Sequence, residues 1–435
     1  MAIPWFPKSV KYYVKSLLST IIILSLLGVI FYWKSSFLEY DYKRLIRANK
    51  PFMLNSIQAS YDVRKNQSTT CHNVLSLMRN ARWVKRMTVT AREEIQQSNT
   101  ELQIRKKRGL PLILHRTDRR CGGKPYFLHA PNLDLEIPAL CDVTSTAPCC
   151  NHKTKWCGAG PNNCNCHRCT DYREEISAEL YNWVPFDGCI FANFTTERAC
   201  SLTSSRVSRL ILIGDSLVRH LFNALMILFT NDKERGSLKR VQDPKVKNCR
   251  GVMQFVDGGK TACHNKTLTS IPVADETSFC QGKYNFDFAL KEYHSMNEAP
   301  NILATVRRNI NRERTVIAVG VGLHMDLNAE KIQTQIMDPL LNIKKSNGAT
   351  WPYIIWLSVH ALGSVKDTNY DVPSENDRVA RFNLSMEKYL SAYGIPVFDT
   401  FSLTNGVRSI DGTHFGMGLN MVKAQLFLNF IQESL

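Results

Sequence analysis

The chain has 435 residues, 44% of them hydrophobic and 21% charged, with a formal net charge of +17. This length exceeds one average domain, and the composition excludes a disordered chain because enough apolar surface is present to bury a large core. The positive charge by itself fits nucleic acid, acidic lipid or anionic glycan, and the amino terminus decides among them.

Leu17 to Trp33 carries no charge, follows Lys8, Lys11 and Lys15, and has Tyr12, Tyr13, Tyr32 and Trp33 at its ends. Its length is at the short limit of about 17 residues for a span, which suits the thinner membranes of the early secretory pathway. No small-residue cleavage site follows it. The expectation is an uncleaved signal anchor at 17–33 with residues 1–16 in the cytosol. All 14 cysteines lie beyond residue 70, and the sequons at Asn66, Asn193, Asn265 and Asn383 lie on the same side, so an oxidising lumen, a disulfide framework and glycosylation are expected. The chain therefore reads as a single-pass type II protein of the Golgi or secretory-pathway membrane. Nucleic acid is excluded as a partner, and a glycan or glycoconjugate is favoured.

Residues 34–115 read as a stem, with a helical stretch from Val74 to Ile104 that is poor in large apolar side chains. Arg105-Lys106-Lys107-Arg108 before Gly109 resembles the recognition run of furin-like proteases, and cleavage after Arg108 would release a secreted ectodomain; a solvated basic patch is the alternative. Residues 116–175 hold most of the cysteines and show no hydrophobic periodicity, as expected of a stapled, loop-rich module. Cys149-Cys150 with Trp156-Cys157-Gly158 is similar to the core of hevein-like chitin-binding modules, a resemblance that implies a sugar contact at Trp156, although Asn151 and Lys155 depart from the pattern. Zinc on Cys164, Cys166, His167 and Cys169 is the competing reading. Lumenal thiols are usually paired, so no metal is expected.

Residues 176–435 alternate strands and helices, which predicts an α/β domain with a mainly parallel sheet. Arg209 to Ile213 is an apolar run that ends in a turn, hence a buried strand. Val218 to Phe229 follows with helical spacing. Thr315 to Val321 and Tyr353 to Val359 repeat the strand pattern, Pro396 to Asp399 is a candidate outer strand, and an amphipathic helix is predicted near Met417 to Gln432.

The chemistry-bearing residues sit at the two ends of this region. Gly214-Asp215-Ser216 joins the first strand to its helix, a place where a serine hydroxyl projects above the sheet and its N–H lies at the positive end of a helix dipole. A serine needs a base, and an imidazole oriented by a carboxylate supplies one near neutral pH. Asp411-Gly-Thr-His414, just before the last helix, offers both on one loop.

Gly214-Asp215-Ser216 with Asp411-x-x-His414 resembles the GDSL/SGNH hydrolase superfamily, and Trp183-Val-Pro185-Phe-Asp-Gly188-Cys189, Cys200 and Arg219 are similar to the flanks of its PC-esterase branch. That branch holds the trichome birefringence-like polysaccharide O-acetyltransferases, the sialic acid O-acetyltransferase and the neurexophilin-and-PC-esterase proteins. The resemblance spans about residues 181 to 435 and implies a three-layer αβα sandwich. Ser216 would be the nucleophile, His414 the general base and Asp411 its orienting partner. It implies an O-acetyltransferase or acetylesterase acting on glycan hydroxyls through an acyl-Ser216 intermediate, with no bound cofactor beyond an acetyl donor such as acetyl-CoA. No Gly-x-Asn-Asp follows the middle strand; Gly322 and His324 stand there and are the candidate oxyanion-hole substitutes, the alternative being a tight turn with a capping His. Ser358 and His360 resemble a Ser-x-His element and are candidate substrate contacts, the alternative being a satisfied core histidine; Arg219 either salt-bridges locally or binds an acidic acceptor. The alternatives are a glycan- or partner-binding protein that keeps the fold without catalysis, and a glycosyltransferase, which the absence of any Asp-x-Asp disfavours.

Overall fold

A computed structural model describes residues 70–123, 127–130, 135–159, 164–257, 263–271 and 278–435. The predicted span at 17–33, the first half of the stem and the Asn66 sequon lie outside them. Among the described residues no helix is long and apolar enough to cross a membrane.

The centre is a five-stranded sheet, all parallel: β1 (Arg209–Gly214), β2 (Asp287–Glu292), β3 (Thr315–Gly320), β4 (Tyr353–Leu357) and β5 (Val397–Phe398), in the order β5-β4-β3-β1-β2. Side chains alternate between two cores. Leu210 and Leu212 of β1 join one, and Ile211 and Ile213 join the other. Helices α2 (Thr196–Arg206), α3 (Ser216–Thr230) and α7 (Met417–Ser434) cover the first face through Cys200, Phe222, Leu225 and Phe427. The other face packs on α4 (Ala299–Arg308), α5 (Asp338–Ser346) and α6 (Val372–Ser391) through Ile302, Leu340 and Phe382. A sheet buried on both sides explains why its strands read as continuous apolar runs. The result is three layers, as expected.

Two glycines fix the sheet near the first turn. Gly214 pairs with Gly320 across β1 and β3, and a Cβ on Gly214 would lie 2.1 Å from the Gly320 carbonyl oxygen and 2.4 Å from Val218 Cγ2. Gly214→Ala is therefore expected to cost at least the roughly 1–3 kcal/mol of an overpacked core, measured by denaturant unfolding.

The stem expectation fails beyond residue 70. The predicted helix from Val74 to Ile104 is a short turn at Val74–Leu77, a strand at Ala81–Lys85 paired antiparallel with Tyr181–Pro185, and α1 (Ala91–Arg108). Thr90 and Glu93 form a capping box at the start of α1, and Gly109 in the left-handed region ends it. Val74 and Met78 are buried in the main core, and Cys71 is bonded to Cys189, so this segment belongs to the domain. The basic run occupies the last turn of α1, where Arg108 is 3% exposed. Protease entry after Arg108 requires an extended backbone, and in the folded chain that turn is helical and anchored. The last helix also differs from expectation. α7 is buried nearly all round, because Val74 and Met78 pack on the side turned away from the sheet.

In the module, Cys121–Cys150, Cys141–Cys157, Cys149–Cys164 and Cys166–Cys169 form disulfides around a three-stranded sheet. Zinc on Cys164, Cys166, His167 and Cys169 is thereby ruled out, since a bridged sulfur is no thiolate ligand. Trp156 is 44% exposed, and the Arg120 guanidinium lies 3.9 Å from its ring centroid and covers one face of the ring. Cys200–Cys280 and Cys249–Cys263 complete the framework, leaving no free cysteine.

Candidate active site

Gly214 delivers the chain into Asp215, whose carboxylate accepts a hydrogen bond from Leu217 N–H at 3.0 Å and caps α3. Ser216 is the first residue of that helix, so its amide is one of the donors a helix start leaves without an intrahelical partner. The turn lies at the carboxyl edge of the sheet, between β2 on one side and β3 on the other. That is where open α/β sheets reverse strand order and form their crevice.

The second part comes from the loop before α7. Ser409 bridges Phe415, and Ile410 N–H donates to the His414 carbonyl at 2.6 Å, closing a tight loop. Gly412 has φ 85°, and a Cβ there would sit 2.1 Å from Lys366 Cα, so only glycine fits. Within the loop Asp411 Oδ1 accepts from the N–H of Thr413 at 3.0 Å and of His414 at 2.7 Å. Its Oδ2 lies 2.8 Å from His414 Nδ1, and His414 Nε2 lies 2.7 Å from Ser216 Oγ. The three side chains thus form one continuous chain of hydrogen bonds. With Asp411 accepting from Nδ1–H, Nε2 is left to accept from the serine hydroxyl.

Charges around this chain were not anticipated from sequence. Asp257 Oδ2 is 3.2 Å from His414 Nε2 and 3.2 Å from His220 Nε2, and it accepts from Arg219. Arg219 also donates to Glu292, so both ends of its buried guanidinium are held internally. Of the two readings of Arg219 the structure selects the local salt bridge, and the contact for an acidic acceptor is set aside. From the other side Arg108 donates to the Ile410 carbonyl at 2.9 Å and lies 3.7 Å from Asp411 Oδ2.

These partners set the protonation states. Burial opposes ionisation of Asp411, but His414 and Arg108 outweigh it and hold the carboxyl well below its usual range. Burial likewise pulls His414 down, yet Asp411 and Asp257 reverse this and raise it above 6.5. His220 is driven by burial down to about 4 and is neutral at physiological pH.

Gly322 and His324 lie in the loop after β3, on the same sheet edge as Ser216. Gly322 has φ 154°, and a Cβ would meet Phe382 and Val359 at 2.8 Å. His324 is exposed, with its ring 5.1 Å from that of His294. Ser358 and His360 face inward instead. Ser358 Oγ accepts from Thr400 N–H at 2.8 Å, and buried His360 Nε2 lies 3.2 Å from Lys423 Nζ on α7. Neither is placed to touch a substrate from solvent. With Asp215 and Lys423 they line a small cavity, and burial there pushes Lys423 down to about 7 despite the nearby Asp215 carboxylate. Asn193 and Asn265 are exposed, as glycan acceptors must be. The Asn383 amide bonds both backbone groups of Val359, at 2.9 and 2.8 Å, which a glycan on Nδ2 would disrupt.

No protein-family model and no curated protein matches the chain. Among solved structures, the native aryl esterase of M. smegmatis is similar over 53% of this chain and 100% of its own, at 14% identity and a TM-score of 0.31. So remote a likeness identifies neither family nor activity.

Proposed function

We propose that the chain is a serine acyl-ester enzyme of the SGNH type, related to the PC-esterase branch. The observation that carries this is the hydrogen-bonded series Ser216 Oγ, His414 and Asp411 at the carboxyl edge of a parallel sheet. Ser216 Oγ attacks the ester carbonyl as His414 Nε2 takes its proton. The Ser216 N–H and the backbone of the Gly322 loop receive the developing oxyanion, and Asp411 steadies the imidazolium. Collapse expels the alcohol or carrier thiol with the proton from Nε2, leaving acyl-Ser216. Water or a sugar hydroxyl then gives up its proton to the same nitrogen and takes the acyl group. In this reading the acyl group is acetyl, the acceptor is a glycan in the secretory-pathway lumen, and an acetyl donor such as acetyl-CoA supplies a transferase. The disulfide framework and the exposed sequons at Asn193 and Asn265 support a lumenal setting.

The test is a fluorophosphonate probe on the full chain. One adduct at Ser216, competed by an acetylated glycan, is expected; no labelling at Ser216 sinks the reading. Product analysis then separates hydrolysis from transfer.

Acid sensitivity follows from the site. His414 acts as base only when neutral, and its folded value is raised, so turnover is present above that value and lost as pH falls through it. The acid limb of kcat/KM is expected to have its midpoint above 6.5. Asp257→Asn, which removes one of the two carboxylates facing His414, moves that midpoint down.

A further inference from the structure

His220, Asp257 and His414 each present one ligand atom, and the three atoms lie within 4.8 Å of one another. Asp257 Oδ2 is 3.2 Å from each histidine Nε2. Bonds of about 2.0–2.1 Å in a tetrahedral zinc site place neighbouring ligand atoms about 3.3 Å apart, so both observed distances match edges of that tetrahedron. A second observation points the same way. His220 is 1% exposed, and its Nε2 is buried with no formed hydrogen bond, its near neighbour being Asp257 Oδ2 at 3.2 Å. A buried orphan nitrogen is costly unless something accepts its lone pair or proton.

We infer that His220 Nε2, Asp257 Oδ2 and His414 Nε2 form a zinc site that shuts off the candidate active site reversibly. Two imidazoles and one carboxylate suit zinc better than calcium or magnesium, which prefer all-oxygen shells. Zinc on His414 Nε2 occupies the lone pair that accepts the Ser216 proton, so metal binding and general-base catalysis exclude each other. The fourth position is left to water. Arg219 donates to the same Asp257 Oδ2 and opposes the cation, which weakens the site and makes the metal exchangeable. Because every cysteine is in a disulfide, no thiolate on the chain competes for the metal.

The inhibitory half of this inference rests on the proposed acyl-ester activity; the binding half does not. Zinc chloride is titrated by calorimetry into the full chain, purified in detergent without thiols or chelators. One saturable site is expected, weakened at least tenfold in His220→Gln and in Asp257→Asn, retained in Ser216→Ala, and matched by loss of p-nitrophenyl acetate turnover that EDTA restores. Cobalt(II) gives a readout that does not depend on how the variants fold, with strong visible bands of a tetrahedral nitrogen and oxygen site in the unaltered chain. Absence of saturable zinc binding, equal affinity in both variants, or a weak octahedral cobalt spectrum overturns the site. Zinc binding to Ser216→Ala, with no turnover and no fluorophosphonate adduct in any preparation, leaves the metal site standing and removes the catalytic reading.

Discussion

Ser216→Ala is expected to abolish turnover of an activated acetyl ester, lowering kcat by about 10⁶-fold, the order seen when a serine hydrolase loses its nucleophile. The fold should survive. Ser216 contributes one hydroxyl at the start of α3, while the helix is capped by Asp215 and buried through Phe222, Leu225 and Phe229. Alanine at a first helical position carries no propensity cost. Its one loss is the 2.7 Å bond to His414 Nε2, and Asp257 remains 3.2 Å from that nitrogen. The diagnostic result is an unchanged melting transition with neither turnover nor fluorophosphonate adduct. Wild-type turnover in Ser216→Ala would mean that the ester is cleaved elsewhere, and the triad geometry would then have no catalytic meaning.

The parts of the site legible in sequence were those in which chemistry coincides with a local signal. The run Arg209 to Ile213 into Gly-Asp-Ser announces a strand, a turn and a helix start, and Asp411-Gly-Thr-His414 pairs a carboxylate and an imidazole on one loop. Their partners carry no such mark. Asp257 follows a short 3₁₀ turn with no periodicity, and only the tertiary fold brings it under His414. β2 reads Asp-Phe-Ala-Leu-Lys-Glu, with charges at both ends that mask an edge strand whose Phe288 and Leu290 are buried. Arg108 was hidden in plain sight. A basic run reads as a solvated or processed segment, and nothing local says that its last guanidinium enters the protein to meet Ile410 and Asp411. The stem was misread for a related reason: Val74 and Met78 are too few to make a hydrophobic period, yet they are enough to dock the segment. Lys423 had a readable signal, since a lysine among Leu419, Phe427 and Phe430 on the last helix interrupts an otherwise apolar surface.

Asp411→Asn is expected to lower kcat by about 10⁴-fold with little effect on stability, the loss seen when a triad carboxylate becomes an amide. The loop geometry explains both halves. An asparagine Oδ1 still accepts from the Thr413 and His414 amides, so the turn persists around Gly412. The other position becomes NH2, which cannot accept from Nδ1–H; it donates to Nδ1 instead, and the proton moves to Nε2, where it blocks acceptance from Ser216. Loss of the negative charge also lowers His414, so the acid limb of the residual activity shifts down in pH. Arg108→Met separates charge from tautomer. The carboxylate stays, but the Ile410 carbonyl loses its buried donor and the loop loosens, costing about 1.5–3 kcal/mol for a hydrogen bond from a charged group. Steady-state kinetics alongside thermal unfolding distinguishes the two. Asp411→Asn loses rate at wild-type stability, and Arg108→Met loses stability along with a much smaller part of the rate. A wild-type kcat in Asp411→Asn would show that Asp411 does not set the tautomer of the base, and the triad would lose its orienting member.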